Sequence, residues 1–77
     1  MKDAQEATYL RHVAERIREH RQAKGMSRRE LAEATGLSDR YVAQLESGKG
    51  NVTILLLRKI ARALEVPMER LLPDDTS

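Results

Sequence analysis

Seventy-seven residues make one small domain with room for a single thin core, and chains of this size often gain stability by pairing. Apolar residues supply 40% of the chain but aromatics only 3%, so the interior must be aliphatic; with few glycines and two prolines this favours helices over a sheet. The absence of cysteine excludes disulfides and thiolate metal sites, no apolar run approaches the ~20 residues that span a bilayer, and the polar start MKDAQEATY excludes a secretory signal. A cytoplasmic protein without a membrane partner is the expectation. The net charge of +2 conceals an uneven distribution. Residues 10–29 hold seven lysines and arginines against two acids, whereas residues 30–50 hold two against four. Basic charge therefore flanks the middle of the chain, a pattern that suits phosphate contacts on either side of an inserted element.

Residues 1–8 lack an apolar period and read as a flexible arm. Leu10, Val13, Ala14 and Ile17 follow the i, i+3, i+4, i+7 rule, which predicts a first helix over about 9–24, ended by Gly25. Ser27 with Glu30 three residues on forms a capping box that opens a second helix over 27–34, and Thr35-Gly36 stops it. Leu37 then enters the core, and Ser38 caps a third helix, 38–47, that buries Val42 and Leu45 and stops at Gly48. Gly48-Lys49-Gly50-Asn51 reads as a loop. Thr53 caps a fourth helix, 53–65, whose expected buried stripe is Ile54, Leu57, Ile60, Ala61 and Leu64. Pro67 suits the first position of a last short helix, Met68 to Leu72, and 73–77 reads as a tail or the start of a linker. The domain proper is thus 9–72.

Two short helices joined by a tight glycine turn make a helix-turn-helix, a unit whose second helix enters the major groove of DNA. Other functions fare worse. His12 and His20 stand eight apart on the first helix with Glu15 and Glu19 nearby. They lack the convergence and outer support of a metal site. No Ser/His/Asp constellation and no glycine-rich nucleotide loop is present, so neither catalysis nor a cofactor is expected. RNA binding lacks the aromatic stacking residues it uses. An adaptor or antitoxin-like role on a protein surface stays open.

Over some sixty positions the chain resembles the lambda-repressor/Cro type of DNA-binding domain, also called the XRE type. The likeness rests on Ile17-Arg18 and Arg21, Lys24-Gly25-Met26-Ser27, Glu30-Leu31-Ala32, Gly36-Leu37-Ser38, Leu45-Glu46-Ser47-Gly48, and then Leu57, Ile60-Ala61, Ala63-Leu64 and Val66. The run LSDRYVAQLESGKGNVTILLLRKIARAL is also similar to the N-terminal domain of benzoyl-CoA-responsive repressors. There a shikimate-kinase-like domain senses the effector. This chain lacks the G-x-x-x-x-G-K-[ST] loop such a domain carries, so an effector would act only through a domain absent from it.

The resemblance implies an all-α fold of five helices with the helix-turn-helix at helices two and three. It implies a transcriptional repressor that binds a near-palindromic double-stranded operator. Asp39, Arg40 and Gln44 match the family's base-reading positions. Their chemistry fits, since arginine can pair with guanine, glutamine with adenine, and aspartate can accept from cytosine. Asp39 near phosphates would need an offsetting partner such as Arg40. The alternative for this group is a solvated helix start. Ser27 and Arg28 (where the family usually has glutamine), Tyr41, Ser47, Lys49 and Asn51 take the phosphate-contact positions. For Tyr41 the alternative is packing between helices. Arg21 and Glu46 correspond to a family ion pair that locks the recognition helix to the scaffold, the alternative being two separate surface charges. Leu55 and Leu56 depart from the family, which commonly has polar residues there. Three explanations stay open: the first nine residues fold over them, a second subunit of a homodimer does, or they join the core.

Overall fold

Three hydroxyl side chains decide where three helices begin. In the computed structural model, which describes residues 2–50 and 52–73, Ser27 Oγ accepts from the Glu30 N–H at 3.0 Å, Ser38 Oγ from Tyr41 N–H at 3.0 Å and Thr53 Oγ1 from Leu56 N–H at 3.1 Å. Each cap satisfies a donor that a helix start leaves orphaned, an effect of ~1 kcal/mol. Glu30 closes the box at Ser27 by accepting its N–H at 2.8 Å. The helices that follow are α2 (Arg28–Thr35), α3 (Asp39–Glu46) and α4 (Ile54–Leu64). They are preceded by α1 (Lys2–Ala23) and followed by one turn of 3-10 helix, Met68–Leu71.

Helix ends are equally explicit. Gly36 sits at φ +79°, and its N–H and that of Leu37 both return to the Ala32 carbonyl. That left-handed stop turns the chain sharply enough to bring α3 across α2. α4 ends the same way, but with Glu65 rather than glycine at φ 61°. Glu65 accepts from Lys24 Nζ at 2.6 Å, which ties the end of α4 to the end of α1.

The core is aliphatic. Val13 and Ile17 from α1, Leu31 and Ala32 from α2, Val42 and Leu45 from α3, and Leu57, Ile60, Ala61 and Leu64 from α4 close around Leu71 of the 3-10 turn. α2 packs on α3 and α4, while α1 lies behind α3 and against the C-terminal elements. Buried Thr35 is accommodated because its hydroxyl donates to the Leu31 carbonyl at 2.8 Å. No helix among the described residues is long and apolar enough to cross a membrane.

Four sequence expectations need correction. The described residues form four α-helices and a 3-10 turn, not five α-helices. Leu72 precedes Pro73 and is extended, at φ −97° and ψ 138°, because a following proline disfavours the α conformation. The first helix starts at Lys2 rather than near residue 9, so 2–8 continue α1. Lysine, alanine, glutamine and glutamate are strong helix formers and need no apolar stripe to extend a helix already anchored downstream. Ile54, placed in the buried stripe of the fourth helix, is 64% exposed. It lies in the first turn, where α4 overhangs the core, and the stripe begins at Leu57. Finally, among the described residues Leu55 is 67% exposed, so cover by the N-terminal arm, one of the three explanations for the leucine pair, does not hold for Leu55 there.

Candidate nucleic-acid interface

α3 has one inward and one outward face. At about 100° per residue, Val42, Leu45 and Glu46 turn inward and are buried. Asp39, Arg40, Ala43 and Gln44 turn outward and are exposed. Arg40 and Gln44 are four apart, so they stand one above the other on that face. Asp39 and Arg40 form no ion pair with each other. The face is therefore a short, solvated row of donors and acceptors on a helix whose other side is fixed.

What fixes it is a buried carboxylate. Glu46, 4% exposed, accepts two parallel hydrogen bonds from Arg21 of α1: Nε to Oε2 at 2.6 Å and Nη2 to Oε1 at 2.9 Å. The remaining Arg21 nitrogen donates to the Met26 carbonyl at 2.8 Å. Planar guanidinium against planar carboxylate fixes orientation as well as distance. A pair so buried is costly to halve, because the surviving charge has no solvent to turn to. Arg28, at the start of α2, adds a third member, with Nε donating to Glu46 Oε1 at 3.3 Å. Its side chain is more than half exposed, so its outer nitrogens reach solvent. One carboxylate thus joins α1, α2 and α3, and the cluster keeps one positive charge in excess.

The Arg28 contact is the member that sequence reasoning missed. The resemblance puts Arg28 at a phosphate, and no local spacing links it to Glu46, 18 residues on. Only the packing of α2 against α3 brings them together.

The other phosphate candidates have mixed surroundings. The Ser27 N–H and hydroxyl oxygen are both engaged in the capping box. The Ser47 hydroxyl donates to the Gln44 carbonyl at 2.7 Å and would have to exchange that partner to meet a phosphate. Tyr41 is half-buried and packs against the core. Burial pushes its phenol above the usual value, so it remains a protonated donor at neutral pH. Lys49 is exposed at the far end of α3. Asn51 lies outside the described residues. Leu56 is half-buried, and Leu55 is exposed beside Ile54. His12 is exposed and His20 half-buried, both along α1.

Known proteins resemble this chain in sequence and in fold. An uncharacterized HTH-type transcriptional regulator of Methanothermobacter thermautotrophicus is 42% identical over 48 residues, covering 62% of this chain and 70% of that protein. Control protein C.SmaI of Serratia marcescens is 35% identical over 60 residues, covering 78% and 71% of the two chains. Among solved structures, the restriction-modification controller protein C.AhdI of Aeromonas hydrophila superposes with a TM-score of 0.78 at 39% identity, over 80% of this chain and 94% of that one. The finer likeness to benzoyl-CoA-responsive repressors gains no support from these relatives. A helix-turn-helix family model matches residues 17–71, from the middle of α1 to the end of the 3-10 turn, and the chain belongs to that family.

Proposed function

We propose that this chain is a DNA-binding transcriptional regulator that inserts α3 into the major groove and reads bases with Arg40, Gln44 and Asp39. The observation that carries this reading is the pairing of an outward row, Arg40 and Gln44, with an inward carboxylate clamp on the same eight-residue helix. Side chains that read base edges must be held to within fractions of an ångström, and a helix tied to its scaffold supplies that. Arg28, Lys49, Tyr41, Ser27, Ser47 and Asn51 are the proposed backbone contacts. Regulation is repression, in the cytoplasm at the nucleoid, and any small-molecule effector acts through a separate domain. No enzymatic role is proposed.

The protein acts as a homodimer on a near-palindromic operator. Ile54 and Leu55 are exposed beside an apolar groove of about 180 Å³ lined by Tyr9, Val13, Val52, Leu57 and Leu72. A two-fold axis there would bury both copies' leucines and place two recognition helices on one duplex. The same apolar patch favours one other reading, a protein-binding adaptor or antitoxin-like module. Salt separates the two, because phosphate contacts weaken steeply as salt rises and an apolar protein contact does not.

Selection of bound sites from a random duplex pool at low salt tests the function. The expected result is an enriched site with two related half-sites. A pool that stays random through successive rounds would overturn the DNA-binding reading.

A further inference from the structure

Beyond the first turn of α1, its cations and that of Lys24 just past its end fall into two groups. Arg16 donates to the Arg70 carbonyl, Arg21 belongs to the Glu46 clamp, and Lys24 pairs with Glu65. Arg11 and Arg18 have no acidic partner among the described residues. Arg11 makes a single long hydrogen bond, 3.4 Å, to Thr8. Both lie on one face of α1 with Ala14 and Glu15, at i, i+3, i+4 and i+7.

That face meets the end of α3. A cleft of about 170 Å³ is lined by Arg11, Ala14, Glu15 and Arg18 on one side and Glu46 and Ser47 on the other. Glu46 does not neutralise Arg18, because its oxygens are occupied by Arg21 and Arg28. The loop after α3 is pressed onto Arg11. At Gly48, with φ +84°, a Cβ would stand 2.9 Å from Arg11 Cγ and 3.4 Å from Arg11 Cα. The backbone that leads into Lys49 therefore runs past Arg11.

We propose that Arg11 and Arg18 bind phosphates of the DNA backbone, next to the phosphate contacted by Lys49. This rests on the DNA-binding reading and extends it to a helix outside the helix-turn-helix. Seven residues of helix separate the two arginines by about 10 Å, enough to address neighbouring phosphates of one strand. Guanidinium groups suit that task because they can donate two hydrogen bonds to a phosphate at once. Glu15 opposes the contact and limits its strength. The exposed cations of α4, Arg58 among them, lie on a different element and take no part.

The test is a salt series on the full chain with its selected duplex, from 50 to 200 mM. Arg11→Ala and Arg18→Gln should each reduce the slope of log affinity against log salt by ~0.9, so the fourfold rise in salt weakens each variant about 3.5-fold less than the wild type. Both should weaken all sequences equally, and Glu15→Gln should strengthen binding. Thermal melts matching the wild type confirm that the variants are folded. Unchanged slopes in both arginine variants overturn the proposal, as does an equal loss in Arg58→Ala, which would reduce the effect to overall charge. A wild type that binds no duplex at low salt fails the DNA-binding reading itself. A wild type that binds while both variants keep its slope fails only the α1 contacts.

Discussion

α3 and the first turn of α4 both leave an outer face uncovered, and the two faces expose opposite chemistry. On α3 the exposed side chains are Asp39, Arg40, Ala43 and Gln44, while on the inner face Glu46 is held by Arg21 of α1 and Arg28 of α2 at hydrogen-bonding distance. On α4 the exposed side chains are Ile54 and Leu55, and beneath them lies an apolar groove. The first surface offers directional donors and acceptors and is rigidly held, as a reader of base edges must be. The second offers area without direction, which suits an aliphatic partner. Under the proposed function, a small domain separates the work of recognition from the work of assembly by placing each on its own helix.

The largest effect should come from the clamp. Glu46→Ala leaves two cations without their carboxylate and should cost about 3–5 kcal/mol, the range for halving a buried pair. Denaturant titration checks this. A loss below about 1 kcal/mol would mean that α3 is held by its apolar face alone. Next come the proposed readers. Gln44→Ala and Arg40→Ala should each reduce discrimination at one base position by about 1–3 kcal/mol. Their stability should stay within ~0.5 kcal/mol of the wild type, since both side chains are exposed. Competition binding against single-base variants of the site measures the first quantity and thermal melting the second; a uniform loss on every sequence would make these residues backbone contacts. The smallest effect on folding and the sharpest on assembly should come from Leu55→Glu. Sedimentation at micromolar concentration should show a dimer for the wild type and a folded monomer for the variant. A wild-type monomer under the same conditions removes the assembly role from α4.

Much of this was legible in the residues. Ser27, Ser38 and Thr53 announce three helix starts, and Gly36 with Gly48 brackets α3, because caps and left-handed stops are local chemistry. Positions 42 and 45 identify the inner face of α3, which leaves 40 and 44 outside. Features that depend on the rest of the fold were not legible. The extension of α1 back to Lys2 follows propensity without any apolar period to signal it. Ile54 fits the helical stripe by spacing, yet whether a first turn is covered depends on what stands opposite it. The Arg28 contact with Glu46 and the approach of Gly48 to Arg11 arise only when three helices meet.

The clasp between Lys24 and Glu65 bears on how the molecule comes apart in acid. The hydrogen bond from Lys24, followed by its positive charge, holds the Glu65 carboxyl below its usual value. This group therefore favours the native state at neutral pH and loses that contribution as the medium is acidified through the lowered value. Once protonated, Glu65 no longer binds Lys24 as an anion but keeps a left-handed backbone that its side chain disfavours. Amide exchange at the junction of α1 and α4 should quicken as the pH falls through that lowered value, and Glu65→Gln should remove this pH dependence. An unchanged dependence in that variant would assign no acid weakness to that corner.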